Sequence, residues 1–181
     1  MTERRSLLDE LPGELILWVL IISELAVFGA GLLVFLSLRL MDPAGFAEAQ
    51  DHLHRASAAI NTVVLVTSGW CAARALAVVD QARACRVWLA GAMGLGALFL
   101  VLKGVEYADA FRQGIGLESG TFYTFYFLLT GFHAAHVLAG IAILALVAIR
   151  PTRSGVEAGS QFWHMVDLVW VLLFPVIYLL R

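Results

Sequence analysis

Apolar residues in this chain come in long unbroken runs, without the strict alternation of a half-buried strand. Five runs, at about 15–38, 58–79, 87–107, 122–149 and 162–180, are long enough to cross a bilayer core as helices, which takes about 20 predominantly apolar residues each. A membrane barrel would need alternating segments of about ten residues and more strands than the chain can supply. The pattern predicts an all-α integral membrane bundle of five transmembrane helices, a single membrane domain spanning residues 1–181. The links between runs carry the breakers and charges: Pro43 and Gly45 in 39–55, a tight polar turn at 80–86, three glycines in 109–120, and Pro151 at the head of 150–160. Links this short make consecutive helices antiparallel neighbours. Pro175 is expected to bend the last helix near its end.

Composition strengthens this picture. The 181 residues are 61% hydrophobic and only 14% charged, whereas soluble domains are about a quarter charged. The opening MTERRSLLDELPGE carries both signs of charge. The run after it is longer than a signal-peptide core, and no small-residue cleavage site follows closely, so it is expected to remain as the first membrane helix. A formal net charge of −2 gives no reason to expect nucleic acid as a partner. Cys71 and Cys85 have no ligand-type spacing and read as unpaired thiols packed as small apolar groups. Arg4, Arg5, Arg74, Arg83, Arg86, Arg150 and Arg153 fall on one side of the membrane, against Arg39, Arg55, Arg112 and Arg181 on the other. The excess of basic residues predicts a cytoplasmic N-terminus and an outside C-terminus.

Small residues recur four apart at Ala90/Gly94, Ala92/Gly96 and Gly131/Ala135, a spacing that lets membrane helices approach closely. Trp163 and Trp170, seven apart, share one face of the last helix, while Trp18, Trp70 and Trp88 lie near helix ends, as interfacial anchors do.

The candidate chemistry lies in ionisable groups inside the spans. A charge at the bilayer centre costs about 2.5–3.5 kcal/mol on insertion scales, yet the spans hold Glu24, Lys103, Glu106, His133, His136, His164 and Asp167. Six of them form pairs three residues apart, the spacing of one helix face, so each helix is expected to turn a polar spot inward. Lys103 and Glu106 read as an intrahelical ion pair near the headgroups, with Lys103 reaching outward. His133 and His136 read as neutral histidines bonded to a carbonyl or carboxylate within the bundle, and metal ligation is the sharper alternative. His164 and Asp167 read as a structural hydrogen bond. Glu24, next to Ser23 and far in sequence from any base, is the candidate for proton exchange or lipid interaction. No complete metal set, phosphate loop or nucleophile–base pattern appears, so no cofactor is expected. A haem- or metal-binding protein using His133, His136 and His164 is the alternative reading.

Five stretches carry a resemblance. Residues 125–140, FYFLLTGFHAAHVLAG, and 163–174, WHMVDLVWVLLF, are similar to signatures of the haem–copper oxidase subunit III family. So are the pair Ser23–Glu24, the stretch 65–69 (LVTSG) preceded by Asn61 and Thr62, and 99–107 (FLVLKGVEY), all in family order. The family's long form has seven helices. Five resemble the short subunit III of quinol oxidases and the NorE-type proteins associated with nitric oxide reductase, and the opening of the first helix looks closer to the NorE branch. The aromatic pair that follows the family's Ser–Glu is reduced here to Phe28, which puts the family's lipid contacts at this point in doubt. The resemblance implies a non-redox accessory subunit of a respiratory haem–copper complex, either a terminal oxidase or a nitric oxide reductase. Its implied partners are a catalytic subunit I-type protein and membrane lipids. Glu24 then matches the family's membrane-embedded glutamate. Lys103, Glu106, His133, His136, His164 and Asp167 form an implied structural network that ties the helices together.

Overall fold

The computed structural model describes residues 15–180. The charged opening and Arg181, both used in the orientation argument, lie outside them. Six α-helices follow in order: α1 Leu15–Met41, α2 Pro43–Asp51, α3 Arg55–Ala77, α4 Ala82–Arg112, α5 Thr121–Ile149 and α6 Arg153–Phe174, the last continued by a π-helical turn, Pro175–Leu179. No strand occurs among the described residues. Five of these elements are long and apolar enough to span a bilayer, with α6 and its π turn counted as one. They coincide with the five apolar runs.

The boundaries differ where polar residues join a helix without breaking it. α4 begins at Ala82 and runs on to Arg112, because its helical hydrogen bonds do not depend on apolar side chains. α6 begins at Arg153, not in the 160s. Thr152, following Pro151, accepts a hydrogen bond from the Gly155 amide at 3.2 Å and so caps the first turn. The unexpected element is α2. Asp42 Oδ1 accepts from the Gly45 amide at 3.0 Å, and Pro43 occupies the first helical position, where its missing N–H costs nothing. Pro175 does interrupt the last helix: beyond it the Leu180 amide reaches back five residues to the Pro175 carbonyl at 2.8 Å.

Helices α3, α4, α5 and α1 form an arc around α6, which packs against α3, α5 and α1. The arc stays open between α1 and α3. In that opening α6 exposes His164, Leu168, Val171 and Leu172. The Trp163 ring enters the core between α4 and α5. A Cβ on Gly96 would lie 2.6 Å from one edge of the ring, and a Cβ on Gly140 would lie 2.6 Å from another. The close approach therefore requires glycine at both positions. The indole N–H donates to Ser68 Oγ at 3.1 Å, and Ser68 in turn donates to the Ala92 carbonyl at 2.6 Å. Trp170 likewise donates to Thr62 Oγ1 at 2.9 Å. Gly94, by contrast, faces open space. Cys71 and Cys85 are buried and unpaired.

Candidate functional site

The ionisable groups of the spans separate into one buried cluster and two pairs nearer the surface. The cluster joins α4, α5 and the C-terminal π turn, near the membrane face that carries α2. On α4, one turn places Lys103 Nζ 3.2 Å from Glu106 Oε1. Lys103 also donates to the hydroxyls of Tyr126, at 3.0 Å, and Tyr178. Both hydroxyls then donate to Glu106 Oε1, at 2.7 Å and 2.6 Å. The ammonium lies 4.6 Å from the Tyr126 ring centre and 5.5 Å from that of Trp170, so it is held by ring faces as well as by hydroxyls. The expected ion pair is present, but Lys103 does not reach outward. It is 2% exposed, because three acceptors and four rings surround it inside the bundle. Tyr126 and Tyr178 went unrecognised in the sequence, where they read as two more aromatics in apolar runs.

Arg39 is buried as well, although it counted as a loop charge in the sequence. It donates to Gln50 Oε1 at 3.3 Å and to the Leu180 carbonyl, and Gln50 Nε2 donates to the Ile177 carbonyl at 2.7 Å. α1 and α2 thereby satisfy the carbonyls that a helix end leaves open.

Glu24 and His136 meet across α1 and α5, with Nε2 and Oε2 3.1 Å apart and both side chains partly exposed. His136 Nδ1 is 2.8 Å from the Phe132 carbonyl. A carbonyl can only accept, so Nδ1 carries the proton. Nε2 and the carboxyl therefore face one another across α1 and α5. The contact is an ion-pair distance; the atoms do not align as a full hydrogen bond, and Oε2 has no other hydrogen-bond partner among the described residues. Ser23 spends its hydroxyl on the Leu20 carbonyl, so Glu24 has no help from its sequence neighbour.

His133 and His136 do not act together. His133 is fully buried among Phe99, Trp170 and Phe28, with neither ring nitrogen hydrogen-bonded among the described residues. The expected carbonyl or carboxylate partner is therefore present for His136 and not for His133.

His164 departs from the inward placement expected of it. Its side chain is 48% exposed, in the opening between α1 and α3, with Nδ1 3.6 Å from Asp167 Oδ2. Asp167 is buried against α3: a Cβ on Gly69 would lie 1.9 Å from Oδ2. Its Oδ1 has no partner among the described residues. A helix face can be read from three-residue spacing, but the direction it points is set by which neighbours pack there, and no helix closes this side. The three histidines thus serve three different places. Among the described residues no group of three or more histidine, cysteine or acidic side chains is placed to hold a metal ion.

Comparison with known proteins agrees with the sequence resemblance. Residues 17–181 match the family described as cytochrome c oxidase subunit III. Cytochrome c oxidase subunit 3 of Corynebacterium diphtheriae is 31% identical, over 83% of this chain and 87% of the relative. The subunit 3 of Thermostichus vulcanus is 30% identical, over 91% of this chain and 85% of the relative. A heme-copper oxidase subunit I+III of Aeropyrum pernix is 29% identical over 90% of this chain, which covers 22% of that longer protein.

Proposed function

The chain belongs to the cytochrome c oxidase subunit III family, and from that premise we propose that it is a non-redox accessory subunit of a respiratory haem–copper oxidase, seated beside the catalytic subunit I in the bacterial inner membrane. The relative in which subunits I and III form one protein supports that placement. The relatives are oxidase subunits, so a terminal oxidase is preferred here to a nitric oxide reductase. The role is assembly, lipid contact and support of proton uptake, with the N-terminus in the cytoplasm.

One observation carries this reading: Glu24 and His136 lie 3.1 Å apart at bilayer depth, on a surface where lipid alone would make an ionisable pair costly. A neighbouring subunit or a lipid headgroup removes that cost. Much of α1 around the pair is exposed and apolar, including Ile22 and Val27, which suits acyl chains. Glu24→Gln keeps the size of the side chain and removes its charge. It is expected to leave assembly intact and to shorten the working life or lower the turnover of the complex. Unchanged turnover and lifetime at full working rate would remove the special role of Glu24.

A further inference from the structure

The α2 side of the bundle holds a feature that the accessory role does not use. The two hydrogen bonds and the ion pair given to Glu106 all end on Oε1. Oε2 takes part in none of them. A carboxylate offers about four lone-pair sites, so half of that capacity is unspent on a residue that is only 9% exposed. Beside it lies a cavity of about 20 Å³, lined by Glu106 and Tyr126 together with Asp109, His52, His54 and Gln113. A water needs about 10–15 Å³ and two to four polar partners. The cavity therefore has room for one, with Glu106, Tyr126, Asp109, His52, His54 and Gln113 as polar residues along a largely apolar wall.

The cavity shares part of its wall with a second pocket. His52, Gln113, Ile115 and Tyr123 also line an open vestibule of about 520 Å³ between α2 and the α4–α5 link. The charged and titratable groups around Glu106 come from every element that meets there. Lys103, Tyr107 and Asp109 lie on α4, Tyr123 and Tyr126 on α5, Tyr178 in the π turn, and His52 and His54 between α2 and α3. Glu48 lies on the vestibule wall.

We propose that Glu106 and one cavity water form a proton-exchange site that opens through the vestibule to the aqueous phase on the α2 side of the membrane. A proton from bulk water passes to the cavity water, which gives one to Oε2. The neutral carboxyl stays bonded to both tyrosines through Oε1, and Lys103, left without its counter-charge, makes this the higher-energy form. The reverse transfer returns the proton. This site is separate from Glu24, which lies toward the other end of the bundle, and it stands whichever complex the chain joins.

The test is infrared difference spectroscopy on the full-length protein in vesicles, through pH steps in H2O and D2O. Wild type is expected to show a carboxyl band that is lost in Glu106→Gln and shifts as fast as D2O is mixed in. Glu106→Asp keeps a carboxyl and should move the band, which covers a glutamine variant that does not fold. Ala110→Leu fills the cavity from one turn along α4 and should keep the band but slow its shift about tenfold, equivalent to about 1.4 kcal/mol of added barrier. Gln113→Leu serves if that variant does not fold. The proposal is overturned if no band responds to either Glu106 substitution, or if the shift is as fast with the cavity filled as with it open.

Discussion

The buried cluster on α4 and the two pairs nearer the surface each set a carboxyl group against a nitrogen base, yet they meet their neighbours differently. Around Lys103 and Glu106, donors and acceptors converge from α4, α5 and the C-terminal turn. Each charge there has a counter-charge and two hydroxyls. Glu24–His136 and His164–Asp167 are barely satisfied by this chain: one pair is misaligned at 3.1 Å, the other stands 3.6 Å apart with a carboxylate oxygen left over. Desolvation penalises a buried charge unless its partners are complete. The cluster therefore ties α4, α5 and the C-terminal turn to one another. The outer pairs leave Glu24 Oε2 and Asp167 Oδ1 without a hydrogen-bond partner among the described residues. Both kinds of site set an acidic group against a basic one, and only the first has its partners complete among the described residues.

That contrast predicts a graded set of outcomes. The largest is for Lys103→Met, which strands Glu106 among tyrosines without its counter-charge. Removing one member of a buried pair costs about 3–5 kcal/mol, so thermal unfolding in detergent should show a large loss of stability. Adding Glu106→Gln to that variant should restore part of it, since neither charge is then left alone. Next is Gly69→Ala, whose methyl would fall 1.9 Å from Asp167 Oδ2. Overpacking of this kind costs about 1–3 kcal/mol, and the same assay should rank it well below Gly94→Ala, where the methyl meets open space. The smallest effect on folding is expected for His164→Ala. Its side chain is half exposed, so stability should stay within about 0.5 kcal/mol, while retention of the subunit in its complex, read by co-purification, should fall. A large loss of folded protein in that variant would place His164 with the cluster after all.

The spans were legible because the length of an apolar run is a direct consequence of bilayer thickness. Trp163 and Trp170 were legible as a shared face, and the glycine spacing as a sign of close approach. The particular reason for Gly96 and Gly140 was not, since it is the shape of a Trp163 ring arriving from another helix. Short amphipathic α2 escaped notice inside a charged link, although Asp42 before Pro43 was a usable start signal. Tyr126 and Tyr178 were hidden for a related reason. A Lys-x-x-Glu pair deep in a span implies donors on facing helices, but which residues face it depends on helix rotation, and that is set only by packing. The same limit explains His164: its spacing to Asp167 gave the face, and the gap between α1 and α3 decided that the face looks out.

The most direct measurement is purification of the chain from its native membrane through a C-terminal tag in mild detergent, followed by an absorption spectrum. A haem-containing catalytic subunit should accompany it, and the signal should vanish when the chain is stripped to a single species. A haem spectrum that stays with the isolated chain would refute the non-redox role. A preparation with no haem protein in it would refute the placement beside subunit I.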